Sequence, residues 1–190
     1  MNKRSDKILI VFWAILFLII SSCGYRFAGR ANELPQHLKA VAIPMFVNAT
    51  YEPLIETVIT NKVIQEFIAD GRLRVVDTGK ADAVLKGRIS AFDGKADAVL
   101  KGRISAFELA PLSFDRSNNL LEYRVVIHCD VVFEDVKNNK IIWKEPALSQ
   151  SADYKVSGDI SATRAAKERA IDEASKRLAS DLVARLFEGF

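Results

Sequence analysis

From Tyr123 to Phe133 every second residue is apolar: Tyr123, Val125, Ile127, Cys129, Val131, Phe133. A period of two marks a strand with one buried face, and it predicts a long strand over Glu122–Glu134. Asn138-Asn139 is tight-turn chemistry. Ile141-Ile142-Trp143 then reads as a hairpin partner, continued by Leu148 to Tyr154 as strand or irregular chain. Nearer the start, Val41 to Phe46 reads as a first strand, with Pro44 marking an edge position or a strand end. Asn48-Ala49-Thr50 is turn chemistry that offers a helix cap, and Pro53 suits a first helical turn. Leu54, Ile55, Val58, Ile59, Val63 and Phe67 recur at helical spacing, and Asp70-Gly71 ends that helix. Leu73 to Asp77 is a short second strand. Pro111 to Asn119 reads as a loop. A last helix opens at Gly158-Asp159, capped by Asp159 or Ser161. Its apolar stripe is Ile171, Ala174, Leu178, Leu182 and Leu186, and its Lys/Arg-rich face reads as solvated.

The order strand, helix, strand, several strands, helix predicts an α+β two-layer sandwich. Two helices pack on one face of a mixed sheet of about four to six strands.

An internal repeat interrupts this order. Residues 79–92 read GKADAVLKGRISAF, and residues 94–107 read the same again, a period of 15. Two short copies are no solenoid. The repeat is a recent tandem duplication or an error in sequence assembly, and it adds no activity. Each copy patterns as one strand, with Leu85, Gly87 and Ile89 on one face and Lys86, Arg88 and Ser90 on the other. Asp93-Gly94 is a hairpin signal. A two-residue loop there pairs Ile89 with Ala98 and Gly87 with Leu100, absorbing the duplicate as an extra strand.

The N-terminus has its own pattern. Lys3, Arg4 and Lys7 precede an uncharged apolar run of 13 residues, Ile8 to Ile20, and then Ser21, Ser22 and Cys23. Basic start, apolar middle and small residues make a secretory signal. As a helix the run spans only about 20 Å, short of the roughly 20 residues a bilayer core needs. The cysteine after the small pair resembles a bacterial lipoprotein signal, which implies acylation of Cys23 as the first mature residue. A plain secretory signal or an anchor helix are the weaker alternatives. Gly24, rather than Asp, in the second mature position implies outer-membrane sorting. Residues 1–22 are thus the expected signal peptide, 23–38 an extended lead from the lipid anchor, and 39–190 a single domain carrying the duplication at 79–107.

Composition excludes more than it proposes. Removing residues 1–22 takes away three Lys/Arg and one Asp, which leaves 24 basic and 23 acidic side chains, a net charge of +1. A nucleic-acid-binding domain carries a strongly basic face, so no nucleic-acid partner is expected. With Cys23 acylated, Cys129 has no disulfide partner and reads as a small buried thiol. The two histidines, His37 and His128, sit near no nucleophile pattern or metal spacing, and His128 falls on the polar face of its strand. No Gly-rich phosphate loop follows a strand. Glu134-Asp135 flank a turn and read as solubilising. The expectation is a protein without catalytic residues, cofactor or metal.

Several short motifs resemble the LptE family of lipopolysaccharide-assembly lipoproteins. They are Cys23-Gly24-Tyr25-Arg26-Phe27, Leu34-Pro35, the run Val41-Ala42-Ile43-Pro44-Met45-Phe46-Val47-Asn48-Ala49-Thr50, and Glu52-Pro53-Leu54-Ile55-Glu56. ADAVLKGRISAF leading through Glu122-Tyr123-Arg124-Val125 is also similar to the family. The repeat departs from it, because the family pattern needs one such strand. The second copy fills that place better, since it runs directly into Glu108-Leu109-Ala110-Pro111. The resemblance implies a lipid-anchored protein on the periplasmic side of the outer membrane. There it would occupy the lumen of an LptD-type β-barrel and take part in inserting lipopolysaccharide into the outer leaflet. It places a lipopolysaccharide-binding cation on Arg116 and a second near the last helix, at Arg164 or Lys155. A different class stays open on the residues alone: a lipoprotein that activates peptidoglycan synthesis or pilots a secretin.

Overall fold

The strand read from the Tyr123–Phe133 alternation lies inside a six-stranded mixed sheet. A computed structural model of the chain describes residues 34–76 and 96–188. The expected signal, Cys23, most of the lead and the first repeat copy lie outside the described residues. In chain order the elements are β1 (Ala40–Ala42), β2 (Val47–Asn48), α1 (Ile55–Asp70), β3 (Arg74–Val76), β4 (Ala98–Phe114), β5 (Leu120–Asp135), β6 (Lys140–Lys155) and α2 (Ile160–Glu188). The strands run β3-β1-β4-β5-β6, with β2 also on β4. The β1–β3, β1–β4 and β2–β4 pairings are parallel, and β4–β5–β6 is an antiparallel meander. This is the expected α+β fold, two helices against a mixed sheet.

The alternation of β5 buries Val125, Ile127, Cys129, Val131 and Phe133 completely. They meet Ile55, Ile59, Val63 and Phe67 of α1 and the α2 stripe of Ile171, Ala174, Leu178, Leu182 and Leu186 in one core. Gly71 ends α1 as expected: it sits at φ 75° and donates its N–H to the Phe67 carbonyl, a left-handed position that costs glycine little.

Four local expectations are corrected. Leu54 is not core: it is 70% exposed and stands at φ 64° before the first turn of α1, without a side-chain cap. Asn48 and Thr50 do not cap that helix either. Asn48 Oδ1 accepts the Thr50 amide at 2.9 Å and its Nδ2 donates to the Glu52 carbonyl at 2.9 Å, which closes a loop ahead of the helix. The first strand divides around Ile43–Phe46, so Pro44 marks a strand end. The loop expected over Pro111–Asn119 is strand as far as Phe114. From Ala106 onward β4 has a described partner on one side only, β5. Pro111 lacks an N–H and is tolerated on that edge.

The second repeat copy forms β4 and fills the place beside β1. At Ala98 and Val99 one edge pairs with Val41 and Ala42 and the other with Asp135 and Glu134. The expected hairpin through Asp93-Gly94, pairing Ile89 with Ala98, lies outside the described residues. Leu34 and Leu38, the last apolar residues of the expected lead, pack onto the core, and Leu38 N–H bonds the Pro35 carbonyl at 2.8 Å.

Candidate functional site

Arg116 sits in the turn joining β4 to β5. That turn is held from within by Asp115, whose Oδ1 accepts the amides of Ser117 and Asn119, each at 2.8 Å. Its Oδ2 accepts Asn119 Nδ2 at 2.8 Å. The Asn119 side chain and amide, with the Ser117 amide, hold the Asp115 carboxyl below its usual range. Asn118 takes φ 63°, a left-handed geometry that asparagine tolerates. Arg116 is thus exposed on a fixed turn. Around it Leu112, Phe114 and Leu121 are also exposed.

Lys155 closes β6 and lies opposite Glu122 in register, beside the start of β5. The Val156 amide bonds the Leu121 carbonyl at 2.9 Å, so β6 ends where the Arg116 turn ends. α2 begins just beyond, with Arg164 exposed near its start. Of the two caps read from the sequence, Asp159 is the one used. Its Oδ1 accepts the Ser161 amide at 2.8 Å, and its carbonyl accepts the Thr163 amide at 3.0 Å. The contacts with Ser161 lower its carboxyl pKa. Arg116, Arg164 and Lys155 therefore share one end of the domain. Two of the acids there, Asp115 and Asp159, spend oxygens on backbone amides, and Leu112, Phe114, Leu121 and Ile160 are exposed. That combination suits an anionic amphiphile.

An open cleft of about 530 Å³ adjoins this end between β6 and α2, with Tyr154, Lys155, Arg169 and Arg177 among its lining. Arg177 donates to Glu173 Oε1 and to the Ser151 carbonyl, both at 2.9 Å. Arg169 and Arg177 were part of the face read as solvated. Only the fold, by setting β6 beside α2, turns that face toward a cleft. Exposed Leu112 and Phe114 are not legible in the sequence, because their segment, Pro111–Asn119, reads as loop.

Cys129 and His128 are placed as expected, whereas Asp135, read as solubilising, is instead buried, with its carboxylate held by His37 and Asn138. Cys129 is buried, and burial pushes its thiol up to about 12, with Asp130 adding to it. His128 lies on the polar face, its Nε2 3.9 Å from Glu108 Oε1. His37 Nε2 meets the buried Asp135 Oδ2 at 2.7 Å. Among the described residues no group of three or more His, Cys, Asp or Glu side chains could hold a metal ion, and no helix is long and apolar enough to cross a membrane.

The family model described as LptE, lipopolysaccharide-assembly, matches residues 38–186, which spans every element from β1 to α2, short of the last two residues of α2. No curated protein sequence matches the chain. Among solved structures, a hypothetical protein of Chlamydia trachomatis is similar at TM-score 0.53 and 14% identity, over 80% of this chain and 97% of that one. Rare lipoprotein B of Shewanella oneidensis is similar at TM-score 0.48 and 14% identity, over 78% and 93%. A lipoprotein B of Nitrosomonas europaea gives TM-score 0.47 and 17% identity, over 87% and 88%.

Proposed function

The chain belongs to the LptE family of lipopolysaccharide-assembly proteins, and from that premise we propose that it is an outer-membrane lipoprotein, anchored through Cys23, that plugs an LptD-type β-barrel. In that place it assists barrel assembly and takes part in passing lipopolysaccharide into the outer leaflet. The observation that carries this reading is the match over residues 38–186, which takes in the whole sheet, all of α1 and α2 up to its last two residues. The end formed by Arg116, Lys155 and Arg164 supports the lipopolysaccharide part of the proposal. Guanidinium and ammonium groups bind phosphates and carboxylates, and exposed Leu112, Phe114 and Leu121 offer apolar contact beside them. The role is one of binding and assembly, without catalysis.

Co-purification tests the reading. A detergent extract should yield a large heat-modifiable β-barrel with this protein, and depletion should starve the outer leaflet of lipopolysaccharide. Recovery of a peptidoglycan synthase or a secretin in place of the barrel would overturn the proposal, as would normal outer-membrane assembly in a strain without the protein.

A further inference from the structure

β4 is built from one of two identical segments, and every contact it makes through Phe107 is open to the other by composition. Asp97, at the entry of the strand, accepts the amides of Lys39 and Ala40 at 3.0 and 3.1 Å. Leu100 and Ile104 are fully buried. Lys101 meets Glu134 at 2.6 Å. Gly102 lies so close under the ring of Phe46 that a Cβ there would fall within it. The same letters recur 15 residues earlier as Asp82, Leu85, Ile89, Lys86 and Gly87. At Ala98 and Val99 β1 takes one edge of the strand and β5 the other, so the copies cannot lie side by side there. There is one slot and there are two occupants.

We propose that the sheet accepts either copy, giving the chain two threadings of one fold related by a slip of 15 residues. In the observed threading, residues 77–96 connect β3 to the slot. In the other, residues 77–81 make that connection, and residues 93–107 are set between Phe92 and Glu108. Within the slot the side chains are identical, so packing there does not discriminate. The difference lies at the joint. The observed threading carries Phe107 straight into Glu108–Phe114, which pair with Val126–Leu120 of β5. The slipped threading breaks the strand at that point. The longer β3–β4 connection of the observed form costs little, because loop closure rises slowly with length. The continuous strand is therefore the major form, and the slipped one is held in reserve. It differs from the major form in where the extra chain emerges: between β3 and β4, or midway along the β4 edge. A consequence is that damage to the second copy is repaired by the first.

Gly102→Val tests this, because its side chain blocks the observed threading while Gly87 stays intact. The full chain carrying Gly102→Val should keep a cooperative thermal transition, displaced downward by several degrees. Gly87→Val should leave the transition in place. The double variant should lose it, and so should Gly102→Val combined with deletion of residues 79–93. A single Gly102→Val chain that is as disordered as the double variant overturns the proposal. A folded double variant also overturns it, because the slot would then tolerate valine. The threading is read directly with native Cys129, which lies opposite Ile104 in register. Adding Ile89→Cys to the Gly102→Val chain should give, on mild oxidation, a disulfide between positions 89 and 129, identified by peptide mass. Ile104→Cys in the otherwise unaltered chain is the control for the observed threading. A folded Gly102→Val chain without the 89–129 link, when that control links, would rule out exchange.

Discussion

Thr60 and Ser175 show how one hydroxyl stabilises and another does not. Thr60 is buried in α1, donates to the Glu56 carbonyl at 2.6 Å and accepts the Phe46 amide at 3.0 Å. It thereby satisfies a backbone N–H between β1 and β2, where no strand pairing reaches. Thr60→Val should cost about 1–3 kcal/mol, the range for an orphaned buried donor, read from urea unfolding. Ser175 is equally buried on α2, and its Oγ has no partner. Ser175→Ala removes an unsatisfied polar atom and favours the helix, so it should raise stability by about 1 kcal/mol in the same measurement. Two carboxylates clamp the chain entering β1. Asp97 holds the Lys39 and Ala40 amides, which lower its pKa against the opposing effect of burial. Burial of Asp135 raises its pKa, but the Asn138 amide and side chain and His37 outweigh it, and the net direction is down. Folded pKa values below the ordinary carboxylate value of about 3.9 mean that this stability is present above that pH. It is lost as pH falls through the folded values. Urea midpoints should feel no change from these groups between pH 7 and 5, then fall below about pH 4, and Asp97→Asn should flatten the fall. Neither clamp was legible in the sequence, because each joins residues separated by 57 or more positions.

At the scale of elements, what could be read was whatever repeats with a period. The β5 alternation and the α2 stripe emerge as written, since each buries one face against the same core. Ends and breaks were harder. Pro111 looks like a breaker in sequence, yet it sits in β4, because strand order leaves that stretch with β5 alone as its described partner. Ala147 is a similar case. It takes φ 59° between two registers of the β5–β6 ladder, and its amide is held by Asp130 Oδ1 at 3.0 Å. Pro146, immediately before it, is a local signal for that bulge. The repeat makes the element-scale prediction. Deleting residues 79–93 joins Thr78 to Gly94 in the phase of the original Thr78-Gly79 junction and leaves β4 complete. The β3–β4 connection then falls to a quarter of its length, two halvings worth about 1 kcal/mol of closure entropy. The deleted chain should therefore fold, with a thermal midpoint equal to or slightly above that of the full chain. An insoluble product would make both copies structural necessities.

Across the whole molecule, the candidate site was half legible. Arg116, Lys155 and Arg164 could be nominated one by one from the family resemblance, but their convergence comes only from the meander, which brings the β4–β5 turn, the end of β6 and the start of α2 together. Lipid attachment is the first prediction at this scale. Mass spectrometry of the mature wild-type protein should find acyl groups on Cys23, and Cys23→Ser should accumulate as unmodified precursor. An unacylated mature cysteine would remove the anchor from the proposal. The second prediction separates the two binding tasks. Arg116 projects from a turn whose shape is set by Asp115 and Asn119, and its own side chain takes no part in that network. Arg116→Asp should therefore leave the fold and the barrel association intact while placing a negative charge where phosphate is proposed to bind. A charge-assisted hydrogen bond contributes about 1.5–3 kcal/mol, so lipopolysaccharide binding in vitro should weaken at least tenfold. The loss should shrink at high salt, because an exposed pair is screened. Arg116→Lys keeps the charge but not the planar donor fork and should fall between the two. If Arg116→Asp binds lipopolysaccharide as the wild type does, Arg116 has no part in the site. If it loses the barrel as well, the turn belongs to the barrel contact and the lipopolysaccharide site lies elsewhere.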